Sequence, residues 1–278
     1  MREGPGSARP GARSSLAEGR GAAFFDLDRT LIEGSSGVHF ARAAYREGML
    51  SRRELAGDVW ANVRFRLQGS TDEGTEVIKQ RILDAIAGQR VVDLARLGPH
   101  VLVGVLPLLY HQVLHEAYAH QDAGRPVYIV TAASQELADV LAHVLVLDGG
   151  IGMRSEIKDG VYTGRADGPF TYREGKAQAI RELATREGYD LEASYAYSDS
   201  ESDLPMMRAV GHPVAVNPDA ALERVARAEG WRIMRFDKLG RRLKVAATLA
   251  VLGLAASGSG FVAARLRRPR RFDRLRRG

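Results

Sequence analysis

Apolar residues occur in two kinds of run along this chain. Short unbroken runs, AAFF at residues 22–25 and PVYIV at 126–130, read as strands covered on both faces, since a strand covered on one face would alternate. Longer stretches carry apolar positions at helical intervals: SSGVHFARAAYREGML (35–50) and SRRELAGDVWANVRFRLQ (51–68), with Ser51 as a cap and Gly48 as a stop. Ser70 and Glu73 fit a capping box ahead of a helix running to about Ala87. The stretch from Val91 to Ala119 is more apolar, and its run VLVGVLPLLY (101–110) holds Pro107 and is too short to cross a bilayer, so it predicts a packed helix with a break.

About a hundred residues separate the first two strands, far more than neighbours in a parallel sheet need, so a helical module is inserted between them. Beyond Val130, strand and helix alternate: ELADVLAHVLVL, a hairpin around EIKDGVYTG, KAQAIRELATREG, YAYSD, DLPMMRAV, PVAVN and AALERVARAEG. This alternation predicts an α/β fold, a doubly wound parallel sheet of Rossmann-like type with ligands at the carboxyl ends of its strands. The expected organisation is a disordered leader at 1–20, a catalytic core from 21–33 and 121–237, a helical cap and linker helix at 34–120, and a tail at 238–278.

The chain has 278 residues, 45% hydrophobic and 27% charged, an ordinary globular balance. It has no cysteine, which excludes disulfides, zinc–thiolate sites and thiol catalysis. The formal net charge of +6 is concentrated in the tail, where 12 Lys and Arg face the single acid Asp273, leaving residues 1–237 net acidic. Within that tail, VAATLAVLGLAASGSGFVAA (245–264) is free of charge and has bases on both flanks. A helix of twenty residues reaches about 30 Å, enough to cross a membrane core. A C-terminal membrane anchor with a cytoplasmic catalytic region is therefore expected. A helix lying on an anionic membrane surface and a soluble basic end are the alternatives. No specific nucleic-acid partner is expected, and the residues do not fix an oligomeric state.

The chemistry is concentrated in four segments. FFDLDRTL (24–31) places Asp26 and Asp28 on either side of Leu27 at the end of the first strand. On a continuing strand the two acids leave from the same side, about 5 Å apart, and repel by about 3 kcal/mol at an effective dielectric of about 20. That pairing calls for a positive charge between them. Thr131 follows the second strand, Lys176 opens a later helix, and YSDSESDLP adds Asp199 and Asp203 after another strand. Acids, a lysine and a hydroxyl without a histidine or cysteine cage suggest a hard divalent cation, Mg2+, sharing its oxygen ligands with a substrate phosphate. The metal offsets the repulsion between Asp26 and Asp28 with Asp199 completing its protein ligands, Lys176 and Thr131 hold phosphoryl oxygens, and one aspartate serves as nucleophile and the other as acid and base. Each segment alone has a plain structural reading as a cap or a solvated helix residue, and their order after successive strands is what gives them force. His111 and His115 share a helix face without an evident third ligand. Trp60, Phe65, Met206 and Met207 read as packing.

DxDxT after a strand, Thr after a second strand, a downstream Lys and D-x-x-x-D resemble, in order, the four motifs of the haloacid dehalogenase-like hydrolases. The helical insertion resembles the C1 cap of subfamily IB, which includes phosphoserine phosphatases, and DGVYTGR, GKAQAIRELA, YSDSESDLPMM and VAVNPDAAL are similar to that branch over residues 22–236. The resemblance implies Asp26 as nucleophile and Asp28 as general acid and base, with the Asp28 carbonyl also on the metal. It implies Asp199 as metal ligand, Thr131 and Lys176 as phosphate ligands, and Thr30 and Asp203 in support. Phosphoserine phosphatases have an acid early in the cap that receives the substrate ammonium, where this chain has GSSG (34–37), and two glycines where it has Ala132 and Ala133. Phosphoserine is thus the less favoured substrate among small phosphorylated metabolites. A phosphotransferase and a non-catalytic membrane-tethered module are the alternative functions.

Overall fold

The computed structural model describes residues 20–49 and 72–236. The expected leader, the helix at 51–68, Ser70 and the tail with its 245–264 segment lie outside those residues, apart from the leader's last residue, Arg20. The core is a six-stranded sheet made of β1 (Ala23–Asp26), β2 (Val127–Ser134), β3 (Gly149–Met153), β6 (Tyr195–Ser198), β7 (His212–Val216) and β8 (Arg232–Met234). Its order is β3-β2-β1-β6-β7-β8, with every pairing parallel. The expected hairpin is β4 (Ser155–Lys158) against β5 (Val161–Ala166), a separate antiparallel pair.

All four residues of the central strand β1 are buried, as its unbroken apolar run requires. On one face Phe24, Val130 and Ala196 pack with Ile180, Leu183, Met206, Met207 and Leu222 from the covering helices. On the other, Phe25 stacks on Tyr197 at 4.1 Å and meets His120 edge-on. A polar relay is buried there. Arg125 Nε donates to His120 Nδ1 at 2.8 Å, which leaves Nε2 as the protonated nitrogen facing the Tyr197 hydroxyl at 2.9 Å. That hydroxyl donates to Glu116, which is held by both arms of Arg232. Burial first, then Arg125, lowers the His120 pKa to about 4, so the ring is neutral.

The helices are α1 (Ser36–Arg46), α2 (Asp72–Ile86), α3 (Val91–Ala95), α4 (Gly98–Val105), α5 (His111–Asp122), α6 (Gln135–Val144), α7 (Glu174–Glu187), α8 (Leu204–Met207) and α9 (Ala220–Ala228). Among the described residues, α1 to α5 make up the helical insertion between β1 and β2, whose first four helices correspond to the expected cap. The apolar stretch Val91–Leu108, with mean hydropathy 1.5, is the one described segment that meets a membrane-span test by length and composition. It is divided into α3, α4 and a short 3-10 turn at Leu106–Leu108 containing Pro107, which is the break its proline predicts.

The two chain crossings between core and cap run side by side. Glu33 N–H bonds to the Leu108 carbonyl and Tyr110 N–H to that of Leu31, with Ile32 bridged to Leu109. Farther along, the hairpin holds the cap a second time: Gly88 N–H reaches the Tyr162 carbonyl, Tyr162 N–H that of Gln89, and Val91 N–H that of Gly160.

Candidate active site

β1 stops at Asp26, and the chain then closes a tight turn in which the amides of Leu31 and Ile32 both bond to the Leu27 carbonyl at 3.0 Å. Arg29 sits in that turn at φ +66, a conformation a non-glycine residue adopts only when its surroundings impose it. This corrects the picture of Asp26 and Asp28 as neighbours on one face of a continuing strand. The Asp28 carboxylate turns instead to the start of α1, where Ser36 N–H donates to Oδ1 at 2.8 Å and the Ser35 hydroxyl to Oδ2 at 3.2 Å. Any share of Asp28 in a metal site falls to its backbone carbonyl.

Asp26 faces the lysine. Lys176, in the first turn of α7 and 3% exposed, donates from Nζ to Asp26 Oδ1 at 2.5 Å and to Asp203 Oδ2 at 2.8 Å. Asp203 lies in the 3-10 turn after β6, and its Oδ2 also accepts from the Ser198 hydroxyl at 2.7 Å. Its other oxygen is buried without a hydrogen-bond partner. Asp199, just past the end of β6 and buried, forms an ion pair with Arg29, its Oδ2 3.0 Å from Nε. Because β1 and β6 are adjacent, Asp26 and Asp199 face each other closely enough to repel.

The charges are out of balance. Burial pushes Asp26 up to about 7 against the pull of Lys176, with Asp203 adding to the rise. Burial likewise raises Asp199 well above the usual carboxylate range, Arg29 opposing and Asp26 and Asp203 adding. For Lys176, burial disfavours the ammonium, but the carboxylates of Asp203 and Asp26 outweigh it and hold the pKa above its ordinary value. One buried ammonium serves two buried carboxylates, and the third, Asp199, has the half-exposed Arg29 as its cation.

Thr131 does not lie beyond its strand. β2 continues to Ser134 with a shift of register after Val130, and the residue capping α6 is Ser134, whose hydroxyl accepts from Leu137 N–H. Thr131 still sits one step past Val130, the partner of Asp26 across β1 and β2. Its buried hydroxyl accepts from Ala133 N–H at 3.1 Å. Thr30 is fully buried and its hydroxyl has no partner.

Among the described residues, no three His, Cys, Asp or Glu side chains converge as a metal cage, and His111 and His115 are exposed on α5. Mg2+ needs no such cage, since it characteristically takes one or two carboxylates, keeps waters and shares a phosphate. The oxygen-only donors, the raised Asp26 and Asp199 carboxyls and the unpartnered Asp203 oxygen fit a hard divalent cation. The structure thus brings together Asp26, Asp199, Asp203 and Lys176, with Thr131 alongside, and takes the Asp28 carboxylate to the cap. Three contacts have no motif to announce them: Ser198 on Asp203, Arg29 on Asp199, and Ser35 with Ser36 on Asp28.

Fold and site together define a doubly wound α/β protein with a cluster of buried aspartates at the carboxyl edge of its parallel sheet. The haloacid dehalogenase-like hydrolase family model matches residues 23–208. Phosphoserine phosphatase SerB1 of Mycobacterium tuberculosis is 37% identical over 252 residues, spanning 90% of this chain and 82% of the relative. Histidinol-phosphatase of Neisseria meningitidis is 28% identical over 227 residues, 77% of this chain and 98% of that one. A crystal structure of a Bordetella pertussis protein of unknown function superposes with TM-score 0.69 at 29% identity, covering 78% of this chain and 98% of that one. An apo phosphoserine phosphatase shares the fold at TM-score 0.57 and 17% identity, covering 81% of this chain and 98% of that one. The chain belongs to the haloacid dehalogenase-like hydrolase family, and it is an enzyme of the family's phosphatase type.

Proposed function

We propose that the protein is a Mg2+-dependent phosphomonoester hydrolase of subfamily IB that works through phosphorylation of Asp26. The observation that carries this reading is the buried Lys176 ammonium bridging Asp26 and Asp203, with Asp199 close by. Asp26 attacks phosphorus, the bond from phosphorus to the ester oxygen breaks, and Asp28 gives its proton to the departing alcohol. Water then attacks the aspartyl-phosphate and yields its proton to Asp28, releasing inorganic phosphate and free Asp26. Lys176 and Thr131 bind the non-bridging oxygens as negative charge gathers on them. Asp26, Asp199 and the Asp28 carbonyl would hold the cation. Bound there, Mg2+ supplies the positive charge that the acid cluster lacks.

The substrate is a small phosphorylated metabolite. Relatives named phosphoserine phosphatase and histidinol-phosphatase support this reading. At GSSG the described residues offer serine hydroxyls in place of an acid for an ammonium, and Ser35 is bonded to Asp28, so phosphoserine is disfavoured. Incubation with a panel of small phosphomonoesters tests this. Release of phosphate is expected with Mg2+ and absent with chelator, and a melting temperature that rises with added Mg2+ reports binding apart from turnover. No release from any ester would remove the reading.

We propose that the catalytic region is cytoplasmic and attached to the membrane through 245–264, on the strength of that segment's uncharged length; bases on both flanks do not set its orientation. Cell fractionation checks it: the enzyme is expected to stay in the membrane pellet through a mild salt wash, and full release rules out a spanning anchor.

A further inference from the structure

We infer that Ser35 is a positioning residue for Asp28, through which the first helix of the cap sets the geometry of proton transfer to the leaving group. This rests on the phosphatase reading above. Ser35 occupies the N-cap of α1, where a serine hydroxyl ordinarily accepts an amide from its own helix. It makes no such bond. The hydroxyl reaches across to Asp28 Oδ2 at 3.2 Å while the next amide, Ser36 N–H, donates to Oδ1 at 2.8 Å. Gly34, at φ +95, turns the chain so that both groups face back toward the core. Ser35 itself is 8% exposed. The Ser36 hydroxyl beside it is buried and unpartnered, so among the described residues the hydrogen bonds from α1 and its cap to Asp28 are one backbone amide and one hydroxyl.

The two contacts differ in kind. An amide can only donate, so Oδ1 is held as its acceptor, while Oδ2 is held by a hydroxyl. A hydroxyl can donate to the ionised oxygen or turn and accept from the protonated one. Ser35 therefore keeps its bond to the carboxyl without any movement of the backbone, and with the Ser36 amide it fixes the plane in which the carboxyl lies. Because Ser35 starts the cap, a shift of α1 carries the carboxyl with it.

The first phosphoryl transfer isolates this role, and kcat/KM reports that step without the later hydrolysis of the phosphoenzyme. p-Nitrophenyl phosphate expels a stable phenolate that needs no proton, whereas propyl phosphate expels an alkoxide that does. Ser35→Ala is expected to lower kcat/KM about tenfold for propyl phosphate and less than about twofold for p-nitrophenyl phosphate, the effect of one hydrogen bond to a charged group. Ser35→Thr, which keeps the hydroxyl, is expected to restore propyl phosphate turnover. Equal losses on the two esters, no loss on either, or failure of Ser35→Thr to recover what Ser35→Ala loses would each overturn the inference. A wild-type protein that hydrolyses neither these two esters nor any other of the panel overturns the phosphatase reading with it.

Discussion

Asp26→Asn is expected to reduce turnover by about 10⁴-fold or more on every phosphoester tested, because the amide has no anionic oxygen with which to attack phosphorus. The loss should lie in kcat, and the folded state should survive. Asp26 is buried and its pKa is raised to about 7, so its charge already strains the fold, and a neutral isostere removes that burden while leaving an oxygen for Lys176. Near-normal thermal stability combined with lost activity separates a nucleophile from a structural acid. Trapping of phosphate on the wild-type protein as an acyl phosphate, cleaved by hydroxylamine and absent from the variant, identifies the bond. Turnover by Asp26→Asn within tenfold of wild type would end the assignment.

Lys176→Met should damage both stability and chemistry. The ammonium is the shared partner of Asp26 and Asp203, and removing one member of a buried ionic set leaves the others uncompensated, at a cost of about 3–5 kcal/mol. That cost depends on pH in a definite direction. Asp26 is raised in the folded protein and rises further once its cation is gone, so the folded variant takes up protons more readily than its unfolded chain. The deficit relative to wild type is therefore largest at a pH of about 8, where the stranded carboxylates are ionised, and shrinks as they neutralise with falling pH. Denaturant unfolding of both proteins across that range measures it. A deficit that is independent of pH would mean that the lysine acts by packing rather than charge. Turnover should fall about 10²–10³-fold at every pH, the expected effect of removing one preorganised positive group from the transition state.

Much of the molecule was legible from its residues. The unbroken runs AAFF and PVYIV are strands, the insertion is helical and breaks at Pro107, and EIKDGVYTG is a hairpin, since each pattern has one physical solution. β3 was not legible. Its sequence GGIGM has the composition of a loop, and it forms a strand because Gly150 and Gly152 let it lie against the backbones of Ala138 and of Ser134 and Gln135, where any Cβ would collide. Nor was the full length of β2, because Thr131 and the small residues after it carry no apolar signal to extend the run.

Within the site, sequence order located the acids and the lysine, since those positions follow strand ends, but it did not say which way Asp28 faces. Alternation along a strand is the rule to apply only while the strand lasts, and here it stops at Asp26. The contacts made by Ser198, Arg29 and Ser35 were illegible for a common reason. They join residues through a fold already assembled, and a single serine or arginine near a motif carries no spacing that distinguishes a bonded side chain from a solvated one.

The paired crossings at Leu31–Glu33 and Leu108–Tyr110 bear on how a phosphoester gets in and out. Two separate strings would let the upper module swing wide; two strings laced together make a strap that bends along one line. With the hairpin gripping Gly88–Val91 at a distance from that strap, opening by more than a slight tilt has to peel amide contacts from one attachment or the other.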